Sequence, residues 1–250
     1  MGAIKNIFKQ LPGARPLYTI MRRIEGQLRC AGDTYTCPIC RKSFGKFRTA
    51  GLDQRKNAAC PCCGSLERLR LEFLCLQQRT EIFTKKCRVL HFAPEPALTK
   101  ALRANPWLDY CSGDIEKGRA IFVVDITNIN FKDEEFDYVI CNHVLEHIPD
   151  EAKAFAEIKR VLRPGGQAII TVPADPDAKT TLEQPTASAE ERITLFGQDD
   201  HVRLYGQDFP QRMQKAGFQT KTFCTDTDVP PELAKKYALL ARDTVYLGIR

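Results

Sequence analysis

Five of the chain's 11 cysteines fall in two tight turns, Cys37-Pro-Ile-Cys40 and Cys60-Pro-Cys62-Cys63, with nineteen residues between them. Each turn brings two thiols to one side of a loop, and two such turns close a tetrahedron around a metal ion. Thiolate donors suit zinc or iron, and a lone ribbon of this spacing reads as zinc held by Cys37, Cys40, Cys60 and Cys63. Four protein ligands leave no coordination position open, so the ion is expected to hold structure. Gly64 supplies the backbone freedom that the second turn needs, and Arg41 takes the matching place after the first. Cys62, the middle residue of its turn, is expected to point away, although an exchange with Cys63 stays open. Cys30, Cys75, Cys87, Cys111, Cys141 and Cys224 are scattered. An odd total with two tight clusters indicates metal plus free thiols in a reducing compartment, the cytoplasm, and not a disulfide framework.

A second set of reactive side chains lies beyond residue 87. Asp114, followed by Ile115, closes a short apolar run about where a carboxylate accepts hydrogen bonds from a ribose diol. Asp125 closes the next run, and with Ile126 suits an adenine amino group and ring face. Cys141-Asn142-His143 ends a further run, and Asp199, Asp200, His201, Arg203 and Tyr205 form a dense polar cluster. Such a cluster can bind and deprotonate a polar substrate, with His201 the first choice of base and His143 and Tyr205 the other catalytic candidates. His143-Val-Leu-Glu-His147 also fits H-x-x-E-H, in which two histidines one helical turn apart bind zinc. The apolar run before it and the RVLRPGG turn after it account for the segment without a metal.

The elements that position these groups alternate. Strands are expected at CRVLHFA, YCSGDI, IFVVDI, FDYVICN, QAIITVP, FQTKTFC and DTVYLGI, and helices at PALTKALRA, DEAKAFAEIKRVL and FPQRMQKAG. That order predicts an α/β, Rossmann-like, mostly parallel seven-stranded sheet covered on both faces, with ligands at the carboxyl ends of the strands. An apolar-sided helix over about Ser65 to Gln78 is expected to connect the cysteine module to it.

The stretch DITNINFKDEEFDYVICNHVLEHIPD followed by AFAEIKRVLRPGGQAIITVP resembles the class I S-adenosylmethionine-dependent methyltransferases, most closely the UbiE/Coq5-like branch (methyltransferase type 11). The resemblance covers roughly residues 86–250 and is specific from Asp125 to Pro173. It implies ribose binding at Asp114, adenine near Asp125 and Ile126, and the methionine moiety and reacting methyl beside Cys141, Asn142 and His143. Gly165-Gly166 then marks the turn into the fifth strand, and an antiparallel hairpin ends the fold. One departure is marked. The family's first strand-to-helix turn reads like D-x-G-x-G-x-G, whereas this chain has His91-Phe92-Ala93-Pro94-Glu95-Pro96, with no glycine. Small Ala93 allows close approach, and Glu95 offers a negative charge for the cofactor's ammonium group.

Charge divides along the same line. The whole chain of 250 residues carries +6, but residues 1–86 hold 17 Lys+Arg against 6 Asp+Glu and residues 87–250 hold 20 against 25, so the halves are +11 and −5. Opposite signs suggest that the modules attract each other. Three parts are expected: a basic helical segment over 1–29, a zinc ribbon with its connecting helix over 30–80, and a methyltransferase domain over 81–250. Residues 174–207 form an insertion expected to be polar and to cover the substrate. The amino terminus shows no signal-peptide core, and no run approaches a membrane span; residues 1–24 could make at most weak peripheral membrane contact. Three functions compete: methylation of a polar small molecule or sugar-containing intermediate at O or N, methylation of an RNA base with the ribbon binding RNA, and a non-catalytic scaffold. Oligomeric state is not readable.

Overall fold

In the computed structural model the described residues are 26–51 and 53–250; the basic amino-terminal segment over 1–25, with its expected membrane contact, and Leu52 lie outside them. Seven strands form one sheet: β1 (Cys87–Phe92), β2 (Leu108–Asp114), β3 (Phe122–Val123), β4 (Phe136–Asn142), β5 (Leu162–Thr171), β6 (Gln219–Cys224) and β7 (Thr244–Ile249). Their spatial order is β3-β2-β1-β4-β5-β7-β6. β1 to β5 run parallel, while β7 is antiparallel to both β5 and β6. This is the Rossmann-like architecture expected, closed by the antiparallel pair. The direction of strand addition reverses between β1 and β4, and the carboxyl ends of the strands at that switch point are where sheets of this kind form their ligand crevice.

Both faces are covered because the central strands are apolar on both sides, as parallel strands require. On one face α3 (Glu151–Val161) and α5 (Phe209–Lys215) bury Phe155, Ile158, Phe209 and Met213 against β4 and β5. On the other, α1 (Glu67–Arg79) and α2 (Pro96–Arg103) bury Leu69, Phe73, Leu76, Leu98 and Leu102 against β1 and β7. α1, expected as a connector belonging to the front module, is therefore part of the body's own core. Among the described residues no helix is long and apolar enough to cross a membrane.

Two elements differ from expectation. The strand anticipated over IFVVDI shrinks to Phe122–Val123, because it is the sheet's edge and Ile121, Phe122 and Val123 are exposed. The RPGG segment is not a turn before β5 but a distortion inside it. Gly165 there takes φ +78°, a left-handed conformation, while its N–H donates to Arg250 O at 3.1 Å.

The front module is two short hairpins, Tyr35–Thr36 with Ser43–Phe44 and Arg48–Ala50 with Arg55–Ala59, filled by Cys30, Phe44, Phe47 and Cys62. The expected attraction of a basic module for an acidic body takes a different form here. Arg70 of α1, wholly buried, donates to Ala58 O (2.8 Å) and Ser65 O (2.7 Å) of the ribbon and to Tyr237 O and Ala238 O (both 2.7 Å) of the body. Its guanidinium also lies 4.8 Å over the Phe47 ring. The join is thus a cation shared among carbonyl groups, with apolar packing around it and an ion pair from Arg55 of the ribbon to Glu67 of α1 at 3.1 Å.

The 174–207 excursion carries its own structure: a two-residue hairpin (Leu182–Glu183 with Arg203–Leu204) and α4 (Ala189–Phe196), which starts with a Ser188/Glu191 capping box. Arg203 fastens it down, donating to Leu145 O and Ile148 O (2.6 Å each) and Pro149 O (3.0 Å) and pairing with Glu183 at 2.7 Å.

Candidate active site and cysteine cluster

The cysteine turns are near copies of each other. Cys37 N donates to Lys42 O as Cys60 N does to Ser65 O, and Arg41 N donates to Cys37 O as Gly64 N does to Cys60 O. Both turns close with a left-handed residue, φ +59° at Arg41 and +80° at Gly64. The four sulfurs of Cys37, Cys40, Cys60 and Cys63 lie within 4.8 Å of one another, with Cys37–Cys63 at 3.6 Å and Cys40–Cys60 at 3.7 Å. Bonds of about 2.3 Å to a tetrahedral zinc place sulfurs roughly 3.8 Å apart, so the donor set fits that ion. The sulfurs perturb one another. Cys40, Cys60 and Ser65 push the Cys37 thiol down to about 6 against Cys63 and burial, and Cys63 is pushed down by the other three; Cys40 is pushed up by the other three, and Cys60 is pushed up by Cys37 and Cys63 against Cys40. Cys62 packs in the module's apolar filling and is not one of the four, which closes the question of exchange with Cys63.

At the crevice the first turn keeps the glycine conformation without the glycine. Ala93 sits at φ +44°, its N–H donating to Gly113 O at 2.9 Å, so the backbone pays the cost of a left-handed alanine. His143, at the end of the adjacent strand β4, is likewise left-handed at φ +49° and donates to Thr171 O at 2.9 Å. Between them runs a buried polar network. His91, with no exposed surface, places Nδ1 3.0 Å from the Tyr110 hydroxyl and Nε2 3.1 Å from Glu95 Oε2. Asn142 donates to Glu95 Oε2 at 3.3 Å and to Glu72 Oε2 at 2.6 Å, and accepts from Thr171 Oγ1 at 3.1 Å. Burial raises the Glu95 pKa, but the His91 and Asn142 hydrogen bonds outweigh it and hold the carboxyl ionised below its usual range. Burial, reinforced by the Glu95 charge, drives Glu72 well above its usual range, so Glu72 is the protonated member of the pair.

The residues singled out from sequence separate into exposed and buried groups. Ala93, Glu95, Asp114, Ile115, Asp125 and His143 reach the surface of the crevice end, Ile115 being 66% exposed. Asp114 Oδ1 accepts from Glu116 N at 2.8 Å, and Asp125 Oδ1 accepts from Thr127 N and Oγ1 at 2.8 Å. His91, Asn142 and Cys141 instead lie beneath that surface; burial pushes the Cys141 thiol well up. Ile126, expected against an adenine ring, is only 3% exposed and packs in the core, leaving exposed Ile115 as the apolar surface beside Asp114. Tyr205, a catalytic candidate, is also a core residue: it stacks on Phe209 at 4.6 Å and donates to Glu151 Oε1 at 2.8 Å. Its hydroxyl is spoken for inside the protein, so it is corrected to a structural residue. His201, 4% exposed, meets His147 edge-to-face with ring centroids 4.7 Å apart; burial pulls its pKa down. A base that met substrate unaided would need more surface than that. Leu145–His147 is a 3₁₀ turn, so His143 and His147 do not stand on one α-helical face as the H-x-x-E-H reading requires. Glu72 and Arg70 are the site residues that sequence reasoning missed.

Residues 97–170 match the sequence family described as a methyltransferase domain. Over 50 residues the chain is 40% identical to phosphoethanolamine N-methyltransferase 2 of Caenorhabditis elegans, a match spanning 20% of this chain and 11% of that one. Over 111 residues it is 26% identical to ubiquinone biosynthesis O-methyltransferase of Saccharophagus degradans, spanning 44% of this chain and 46% of that one. The chain thus spans less than half the length of these relatives. The fold also superposes on an S-adenosylmethionine-dependent methyltransferase from Mesorhizobium loti with a TM-score of 0.49 at 14% identity, covering 72% of this chain and 98% of that one.

Proposed function

We propose that the chain, whose residues 97–170 match a methyltransferase domain family, transfers a methyl group from S-adenosylmethionine to an oxygen or nitrogen of a polar small molecule or sugar-containing substrate. One observation carries this reading: the ends of β1, β2 and β4 present together an ionised Glu95, a surface Asp114 with Ile115, and two left-handed non-glycine residues, Ala93 and His143. Backbone held in so sparsely populated a conformation on neighbouring strands marks a place built for close approach. In this assignment Asp114 accepts from the ribose hydroxyls, Ile115 and Asp125 flank the adenine, and Glu95 pairs with the ammonium group. His91 and Asn142 hold Glu95 in place. The bound cofactor supplies an electrophilic methyl on sulfur, and displacement at it is in line, so the chain's main contribution is to position the acceptor and exclude water. His143, with about a quarter of its side chain exposed, stands at the end of β4 as the polar group assigned to that step. Zinc at Cys37, Cys40, Cys60 and Cys63 keeps the ribbon folded.

Titration calorimetry with S-adenosylmethionine tests the reading. The unmodified chain is expected to bind, and Asp114→Ala to weaken binding at least about tenfold, a loss of roughly 1.4 kcal/mol. Absence of binding by the unmodified chain overturns the enzyme reading and leaves the non-catalytic scaffold. A second reading, with RNA as the acceptor, has its own observation. A groove of about 1270 Å³ between the ribbon and α2 is lined by Lys42, Lys46, Arg48 and Lys100 among others, and by no carboxylate among the described residues. Arg55 is not part of it, being paired with Asp53 and Glu67. Steeply salt-dependent RNA binding lost on Lys46→Ala and Arg48→Ala favours this acceptor; binding indifferent to salt and to both changes removes it.

A further inference from the structure

We propose that Glu146, His147 and His201 form a binding site for a divalent ion of the first transition series, distinct from the four-cysteine cluster. One ligand atom from each lies within 4.8 Å of the others. Donors sharing a tetrahedral ion at about 2.1 Å stand roughly 3.4 Å apart, so rotamer-scale adjustment closes the set. Glu146 has no exposed surface and neither of its carboxylate oxygens has a hydrogen-bond partner; His143 Nδ1 stands 3.2 Å from Oε1 without hydrogen-bond geometry. His201 Nδ1 is also buried and unpartnered. A buried carboxylate and a buried imidazole nitrogen left without partners beside each other are expensive to maintain, and a cation between them satisfies both.

The surroundings fit a ligand site. Glu146 and His147 lie on the 3₁₀ turn after β4, and His201 comes from the end of the 174–207 excursion. The two segments are locked together by Val202 N donating to Glu146 O at 2.9 Å and by the Arg203 bonds to Leu145, Ile148 and Pro149. His147 Nδ1 faces Asp200 Oδ2 at 3.1 Å, the carboxylate–imidazole pairing that orients a histidine ligating through its other nitrogen. His147 is one-third exposed and gives the ion a way in. Two imidazoles and one carboxylate suit Zn²⁺, Fe²⁺, Co²⁺ or Ni²⁺ better than Mg²⁺ or Ca²⁺, which prefer all-oxygen sets. Three protein donors leave positions for water or another oxygen ligand.

Cobalt loading of the full, untagged chain separates the two sites. Thiolate ligation at the cysteine cluster gives an intense charge-transfer band, whereas nitrogen and oxygen ligation adds only weak d–d absorption. The unmodified chain is expected to take up two equivalents of Co²⁺. Glu146→Gln is expected to take up one, with the thiolate band undiminished, and that band serves as the check on folding. If Glu146→Gln loses the band, His147→Ala, a change at a partly exposed side chain, carries the test. Uptake of one equivalent by the unmodified chain, or of two by a variant that keeps the band, overturns the proposal.

Discussion

Replacing Arg70 by methionine removes the cation that joins ribbon to body. The side chain is similar in length and apolar, so the change deletes hydrogen bonds more than volume. Four carbonyl groups, those of Ala58, Ser65, Tyr237 and Ala238, lose a charged donor at 2.7–2.8 Å. At roughly 1.5–3 kcal/mol for each bond to a charged group, the gross loss is about 6–12 kcal/mol. Against it stands the desolvation cost of the guanidinium, several kcal/mol, which the variant no longer bears. Removing one partner of such a buried arrangement leaves a net loss of about 3–5 kcal/mol. For a chain of this size that corresponds to a fall of roughly 10 °C in Tm. Urea denaturation read by circular dichroism, with the metal-loaded protein in both arms, measures it. Arg70→Lys keeps the charge but offers only three donors from one point, and should fall between the two. A loss below about 1 kcal/mol for Arg70→Met would show that the carbonyls find water or other donors, and the account of the junction would be wrong.

Three further expectations follow from residues already described. Gly64→Ala forces an alanine to φ +80° and should cost about 1 kcal/mol, whereas Arg41→Gly, at φ +59°, should gain up to about 1 kcal/mol; thermal melts of the metal-loaded protein compare them. Glu72 keeps its proton in the folded state above the pH at which an unfolded glutamate loses it, about 4.3. The folded state then holds more protons, so stability declines as pH rises from there towards the folded value. Glu72→Gln retains an acceptor for Asn142 and abolishes that decline: its denaturation midpoint should exceed the parent's at pH 8 and match it near pH 4, and an equal gap at both would refute the assignment. Tyr205→Phe removes the bond to Glu151 and should lower stability by about 1 kcal/mol while leaving kcat unchanged; a large fall in kcat with the fold intact would return Tyr205 to the catalytic candidates.

What sequence makes readable is what short spacing encodes. The cysteine turns announce themselves because both donors of each pair sit within one loop, and Asp114 and Asp125 do so because a strand end is a local pattern. Ile126 and Tyr205 resist that reading. In a strand-end segment, a shift of one residue decides between crevice and core: Asp125 is exposed while its neighbour Ile126 is buried. Arg70 and Glu72 were hidden for another reason. Their partners are remote in the chain: Tyr237 and Ala238 for the first and Asn142 for the second. The signal available was the run Leu-Arg-Leu-Glu-Phe-Leu-Cys-Leu over 69–76, in which charges interrupt an apolar stretch where no polar face is left for them. Such charges must be satisfied inside the protein. The absence of glycine in the first turn misleads in the opposite sense, because Ala93 adopts the conformation that glycine would have taken.

α1 carries Arg70 into the ribbon and, two residues on, Glu72 into the network under the first turn. Both side chains ride on one rod packed into the body's core, so neither can shift without the other. An equilibrium coupling carried by this helix between the metal cluster and the crevice would be reciprocal, each ligand changing the other's affinity by the same factor. A ligand bound over Glu95 would then change the cluster's equilibrium affinity for its ion by the same factor by which the ion changes the ligand's. A chain trimmed at residue 81 would lose more than the ribbon: it would lose α1, and with it the Glu72 that Asn142 bonds beneath the first turn.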